Sequence, residues 1–294
     1  MFFKYLSLAA LALTKVSVGY EISVNGTSSN ELDTAIFAQI INGTPATKEE
    51  YPFISQIYQT NDNGNNFSFI CTASLISSQY IVTAAHCVYN NNVLKSTSQL
   101  YFNIGKQNLA VSADIPSFYK ATNIYVNQYL ARPQHDIAIV KLDRAVAATV
   151  ATPAKIYPYK VTTSLPIEVA GFGVTNLAQN QVSSKLMKTS ITVSESSKCP
   201  TFGPSWKSNS GPSICSITDS GNDSCQGDSG GPMVTKINGV NTLVGVTSYG
   251  QNMTPGSTAN CGANNIAFYT RAAYFVPWVS SLMGVDFRTT IQLK

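Results

Sequence analysis

Three short segments of this chain hold residues able to do chemistry. The first, Val82-Thr83-Ala84-Ala85-His86-Cys87, ends a β-prone run and sets an imidazole among small side chains. Imidazole titrates near neutral pH, so such a ring can take a proton and return it within one reaction. The second, running from His135 and Asp136 through Ile137-Ala138-Ile139-Val140 to Leu142, puts a carboxylate at the mouth of an apolar strand, where it must find donors. The third runs from Asp223 through Ser224, Cys225, Gln226, Gly227, Asp228, Ser229, Gly230 and Gly231 to Pro232. Glycines on both sides of Ser229 let the backbone come close to a reacting group and let N–H groups converge on one point, as an oxyanion requires. Singly, a histidine beside a cysteine reads as structural and an aspartate at a strand end as a turn residue. The third string is more specific than any turn needs. His86 and His135 are the only histidines, so a proton-accepting imidazole has few rivals.

The elements that must position these groups are short β-prone runs separated by turn clusters. Ile54 to Tyr58, Phe67 to Ile76, Tyr80 to Thr83, Leu100 to Ile104, Ile137 to Leu142, Ile167 to Ala170, Leu186 to Val193 and Thr242 to Tyr249 are the clearest. That spacing, almost without helical periodicity, predicts an all-β barrel or sandwich. One short helix is expected near the end, where Pro277 opens a run with Val279, Leu282 and Met283 at helical spacing. Over 294 residues, 44% apolar and only 12% charged, the chain is long enough for its own core and too apolar for disorder. Its net charge of +4 is scattered, which excludes a nucleic-acid patch.

At the N-terminus Lys4, an apolar run from Leu6 to Leu13 and small residues at Ser17 and Gly19 predict a secretory signal over 1–19, hence a secreted, extracellular protein with no membrane span. Residues 20–39 are polar and rich in Ser and Asn, which predicts a removable propeptide rather than a core element. Export makes Cys71, Cys87, Cys199, Cys215, Cys225 and Cys261 an even set expected to form disulfides, with their pairing open at this point. They contain no paired C-x-x-C, so no zinc site is expected. Glycosylation sequons begin at Asn25, Asn42, Asn66, Asn222 and Asn252.

Taken in order, the TAAHC, HDIAIVKL and DSCQGDSGGP segments closely resemble the trypsin-like, chymotrypsin-fold serine endopeptidases. Ile40-Ile41-Asn42-Gly43, Tyr51-Pro52-Phe53, Val169 to Gly173, Ser248-Tyr249-Gly250 and Tyr269-Thr270-Arg271 add to the resemblance, which spans roughly residues 40–283. The resemblance implies an all-β fold of two antiparallel six-stranded Greek-key barrels, about 54–146 and 160–275, crossed by a linker at 147–153 and followed by a helix at about 277–283, all within a peptidase domain over 40–294. It implies Ser229 as nucleophile, His86 as base, Asp136 as the group orienting the imidazole, and the N–H groups of Gly227 and Ser229 as the oxyanion hole. Asp223 takes the position of the pocket carboxylate that favours Arg or Lys. Ser224, Ser248, Tyr249, Gly250 and Ala267 take positions that line the pocket or bind the substrate strand. Ala267 stands where trypsins usually have glycine.

The resemblance further implies a zymogen in which cutting before Ile40 frees an amine that pairs with Asp228. Gln39 precedes that bond, so a protease other than a trypsin must cut it. The disulfide pairs implied are Cys71 with Cys87, Cys199 with Cys215 and Cys225 with Cys261. Neither cofactor nor metal is expected; Gly105-Lys106-Gln107 puts a lysine where calcium-binding trypsins place a glutamate. The partners implied are protein or peptide substrates, the activating protease and protein inhibitors, with the enzyme a monomer. The alternatives are an inactive homologue with a binding or regulatory role, and an active peptidase of non-tryptic specificity. The Asn222 sequon adjoins the pocket and is expected to go unused.

Overall fold

A computed structural model describes residues 20–24, 40, 42–176, 181–199, 206–218 and 221–293. The expected signal, 1–19, lies outside the described residues, as do Asn25, residues 26–39 and Ile41.

Six strands build the first barrel: β1 (Ile54–Gln59), β2 (Asn66–Ser77), β3 (Tyr80–Thr83), β4 (Leu100–Ile104), β5 (Tyr119–Val126) and β6 (Ala138–Leu142). They pair antiparallel in the order β3-β6-β5-β4-β1-β2, and β2 pairs with β3 to close the ring. Closure leaves no free ladder along most of the sheet. Tyr58, Phe67, Phe69 and Phe102 fill its interior together with Ile57, Leu75 and Ile139.

The second set is β7 (Ile167–Gly171), β8 (Met187–Ile191), β9 (Ser213–Thr218), β10 (Pro232–Ile237), β11 (Val240–Asn252) and β12 (Asn265–Arg271). Its order, β9-β12-β11-β10-β7-β8, repeats that of the first sheet strand for strand. Here the last seam closes by a different means. Just past β8, Ser194 donates its N–H to the Cys215 carbonyl (3.0 Å). The Thr192 carbonyl accepts from the Ser216 hydroxyl (2.7 Å), and the Ser194 hydroxyl accepts from Ile217 N–H (2.7 Å). A two-residue strand, Thr44–Pro45, adds to the outer edge of β8.

Residues 147–153 run along the first barrel, with Thr152 N–H bonded to the Pro52 carbonyl, and Ile156 then meets Leu243 on β11. The helix, α1 (Val276–Met283), begins one residue before Pro277, which fits its first turn, and ends at Gly284 in the left-handed conformation (φ 66°).

Residues 20–24 of the expected propeptide add to the first barrel, where no core element was expected. Glu21–Ser23 is a strand paired antiparallel with Asn66–Ser68 of β2, and the Ile22 side chain is buried in the first core. The polar average of the segment hid two apolar anchors, Tyr20 and Ile22.

Candidate active site

Strand register brings His86 and Asp136 together. Ala138 at the start of β6 pairs with Thr83 at the end of β3. The strands run antiparallel, so stepping back from Ala138 to Asp136 and forward from Thr83 to His86 leads to the same end of the barrel. After extended Ala84, a tight turn over Ala85–Val88 points the imidazole inward. His86 Nδ1 and Asp136 Oδ2 are 2.8 Å apart, and the His86 backbone N–H donates to Asp136 Oδ1 (2.9 Å). One carboxylate thus holds both the ring and the main chain of the same residue.

Asp136 is buried, yet burial, which favours its neutral form, is outweighed by the charge and hydrogen bonds of His86 and by Ser248, so its pKa is lowered. The His86 ring is desolvated, which pulls its pKa down, but the Asp136 charge and hydrogen bond prevail and raise it. Lys95, whose ammonium donates to the Cys87 carbonyl (2.8 Å), opposes that rise. The imidazole side chain stays 28% exposed, open on one flank. His135, next to Asp136 in sequence, turns away: its Nδ1 lies 3.0 Å from Asn127 Oδ1 and its ring packs against Phe275.

The second barrel supplies the serine turn. Gly227 (φ 94°) and Gly230 (φ 79°) adopt left-handed conformations on either side of Asp228 and Ser229. A Cβ on Gly230 would collide with Thr83 Oγ1 and the Thr72 carbonyl, so glycine is required for the turn to reach the first barrel. Contact is then direct. Thr72 N–H donates to the Ser229 carbonyl (3.0 Å), and the Thr72 hydroxyl donates to the Gly227 carbonyl (2.8 Å). Cys87 Sγ lies 3.7 Å from the Ser229 carbonyl oxygen and 3.8 Å from His86 Nε2, so the serine turn and the free side of the ring share a neighbour. Among the described residues no group accepts from the N–H of Gly227 or of Ser229, the pair that an oxyanion hole would use.

Ser248 turns its side chain toward Asp136. Its hydroxyl donates to Asp136 Oδ2 (2.6 Å), so the side chain supports the carboxylate, while Thr270 Oγ1 donates to the Asp136 carbonyl (2.7 Å). Tyr249 is 45% exposed and stacks on Phe268.

Asp223 is fully buried. Ser224 N–H donates to its Oδ1 (2.9 Å), while Gly262 N–H (3.0 Å) and Asn265 Nδ2 (2.7 Å) donate to Oδ2. Burial pushes its pKa up to about 7 despite these three bonds, and no described lysine or arginine is salt-bridged to it. Ser224 Oγ and Tyr269 OH are 3.0 Å apart. Ala267 is buried opposite Gly250 in the β11–β12 ladder, and a Cβ on Gly250 would collide with the Asn260 carbonyl.

Asp228 is buried behind the serine turn, accepting from Gly173 N–H (2.8 Å) and Cys225 N–H (2.9 Å). Burial pushes its pKa up to about 7 as well, and the nearby Asp223 charge adds to the rise. Ile40 is buried and still part of the continuous chain. Asn42, where the resemblance leads one to expect glycine, has φ 58°, a left-handed conformation that asparagine tolerates. Disulfides join Cys71 to Cys87, Cys199 to Cys215 and Cys225 to Cys261. The described cluster of metal-type ligands, Cys71, His86 and Cys87, has both sulfurs committed to the first of these bonds, so it does not fit a metal ion.

The family model described as Trypsin matches residues 40–279. The chain belongs to the trypsin family. It is 26% identical to CLIP domain-containing serine protease B4 of Anopheles gambiae over 82% of this chain and 69% of the relative. It is 30% identical to serine protease SSP1 of Scolopendra subspinipes over 72% of this chain and 73% of the relative. Against coagulation factor XI of Bos taurus it is 26% identical over 85% of this chain, and it spans 39% of that longer protein. This trypsin-family chain is accordingly a trypsin-like serine protease by family, with a chymotrypsin-type fold. No helix among its described residues is long and apolar enough to cross a membrane.

Sequence reasoning missed Thr72, Lys95 and Asn265, and it gave Thr270, quoted within Tyr269-Thr270-Arg271, no role at Asp136. Their roles depend on contacts made only in the fold, which no local motif marks.

Proposed function

We propose that this protein is a secreted serine endopeptidase that cleaves after Arg or Lys and is made as a precursor activated by cutting before Ile40. The observation that carries the reading is the double grip of Asp136 on His86, through Nδ1 and the backbone N–H together, beside the Ser229 turn. In this reading Ser229 Oγ attacks the scissile carbonyl while His86 Nε2 takes its proton, and Asp136 stabilises the resulting imidazolium without taking the proton. The oxyanion lies against the N–H groups of Gly227 and Ser229, each worth roughly 2.7 to 4 kcal/mol of barrier lowering. His86 then protonates the leaving amine, and water hydrolyses the acyl-enzyme by the same relay in reverse.

Preference for a basic residue rests on Asp223, a buried carboxylate whose bonded partners are all neutral donors. Activation rests on Asp228, which is buried with no salt-bridged lysine or arginine among the described residues and which an amine from Ile40 would neutralise. The Ile40 backbone, at φ 35°, is unfavourable for a β-branched residue, and φ ceases to be constrained once the preceding peptide bond is cut. A narrower, non-tryptic specificity is the second reading. The Asn265 amide already on Asp223 Oδ2 and the Ala267 methyl favour it.

A serine-directed organophosphate tests the core claim. After Ile40 is freed, labelling should be stoichiometric and confined to Ser229, and an unreactive protein would leave only a binding or regulatory role. Cleavage of matched Arg, Lys and Phe peptides then separates the two specificities.

A further inference from the structure

The strand Glu21–Ser23 and the strand Thr44–Pro45 occupy equivalent places, each adding to the second strand of its barrel, β2 or β8. They lie on opposite sides of the bond before Ile40. The downstream one stays covalently attached after cutting. The upstream one does not.

Residues 20–24 are built into the first barrel. Ile22 pairs with Phe67 and is only 5% exposed. Phe69 N–H donates to the Tyr20 carbonyl (3.0 Å), and Val24 N–H to the Asn65 carbonyl (2.9 Å). The Tyr20 hydroxyl donates to the Ala110 carbonyl (2.8 Å), and Ser68 Oγ to Glu21 Oε1 (3.2 Å). No disulfide reaches this segment, because every bridged cysteine lies beyond Ile40. The acceptor edge also borders the site: further along β2, Thr72 N–H holds the Ser229 carbonyl, and the Phe69 ring lies against Gly227.

We infer that the Asn66–Phe69 edge is a strand-acceptor site whose ligand is the chain's own Tyr20–Val24, and that cutting before Ile40 converts this ligand into a dissociable peptide. The inference rests on the proposed cleavage. While residues 25–39 join strand to barrel, docking is intramolecular at an effective concentration on the order of millimolar. Once they are cut, the peptide meets the full loss of translational freedom on binding, with a contact of five residues against the roughly 20 to 30 per side of a stable interface. Main-chain pairing with one buried aliphatic anchor is the chemistry of strand addition, which binds extended segments reversibly.

The test uses a Ser229→Ala chain, so that no readout depends on activity. In one version an enteropeptidase recognition sequence replaces the residues before Ile40. In a second it lies within residues 28–32, so that cutting severs the strand without freeing Ile40. Gel filtration at low micromolar concentration should strip the N-terminal peptide from both cut forms. A synthetic peptide of residues 20–30 should rebind by calorimetry with a Kd on the order of 10 µM to 1 mM, and Ile22→Asp in that peptide should weaken it at least tenfold. Hydrogen exchange at the Phe69 amide should be slow in the uncut chain and fast in the stripped one. A peptide that co-elutes after cutting, fails to rebind, or leaves Phe69 exchange unchanged overturns the inference. Failure of organophosphate labelling in the Ser229 protein, with peptide exchange as described, would sink the catalytic reading alone.

Discussion

At the scale of single residues, two buried aspartates receive opposite treatment. Asp136 has an imidazole and a hydroxyl on its oxygens and is pulled below the ordinary carboxylate range. Asp223 has only neutral donors and is pushed up to about 7. A carboxyl so poised is largely protonated below about pH 7 until a cation joins it, so in the proposed reading a substrate's basic side chain must displace that proton there. Benzamidine, cationic throughout the range, reports this directly. Its Kd for the activated His86→Ala variant, in which the imidazole no longer titrates, should rise about tenfold for each unit of pH below about 7. Asp223→Asn should bind it weakly and without that slope. A flat profile in the parent would mean that Asp223 does not receive the cation.

At the scale of elements, the site depends on how closely the Ser229 turn approaches β2 and β3. Gly230 combines a left-handed φ with a Cβ position already filled by Thr83 and the Thr72 backbone. Replacing it by alanine should therefore destabilise the fold by roughly 3 kcal/mol or more, since strain and overpacking act together. Thermal unfolding would register that loss, and organophosphate labelling of whatever folds would show a displaced serine. A variant as stable and reactive as the parent would break the link between turn and barrel. The same elements show how far the chain was legible. β1, β2, β3, β4, β6, β7, β8 and β11 coincide with apolar or alternating runs, and the His86 and Asp136 segments sit at the ends of two of them, while the Ser229 segment lies between β9 and β10. β5, β9, β10 and β12 were not singled out, because Lys120, Thr122, Ser213, Ser216, Pro232 and Arg271 interrupt their pattern and only pairing in the sheet selects the extended form. Tyr20–Val24 was missed for a related reason. Five residues cannot declare a strand whose stability lies wholly in its partner.

At the scale of the molecule, two sheets of one topology meet along a seam that gathers the candidate catalytic groups: His86 and Asp136 from the first, the Ser229 turn and Ser248 from the second. In the proposed activation, Asp228 ties that seam to the state of the chain near Ile40. In the uncut protein its pKa is up to about 7, against an ordinary value near 4 in the unfolded chain. Between those values the folded form keeps a proton that the unfolded form has released. The contribution of Asp228 to stability is therefore complete below about pH 4 and is lost as pH rises through about 7, at a slope of at most about 1.4 kcal/mol per pH unit. Asp223 acts with the same sign, and each charge opposes the other. The uncut Ser229→Ala chain should accordingly lose thermal stability from pH 5 to 7.5. Asp228→Asn, which keeps an acceptor but cannot ionise, should show a shallower decline. Cutting before Ile40 should act in the opposite direction in a chain with Asp228 intact, because an ammonium beside the carboxylate lowers its pKa and moves the lost stability to lower pH. Equal slopes for the uncut parent and Asp228→Asn would place the pH dependence elsewhere, and an unchanged slope after cutting would mean that the new amine never reaches Asp228.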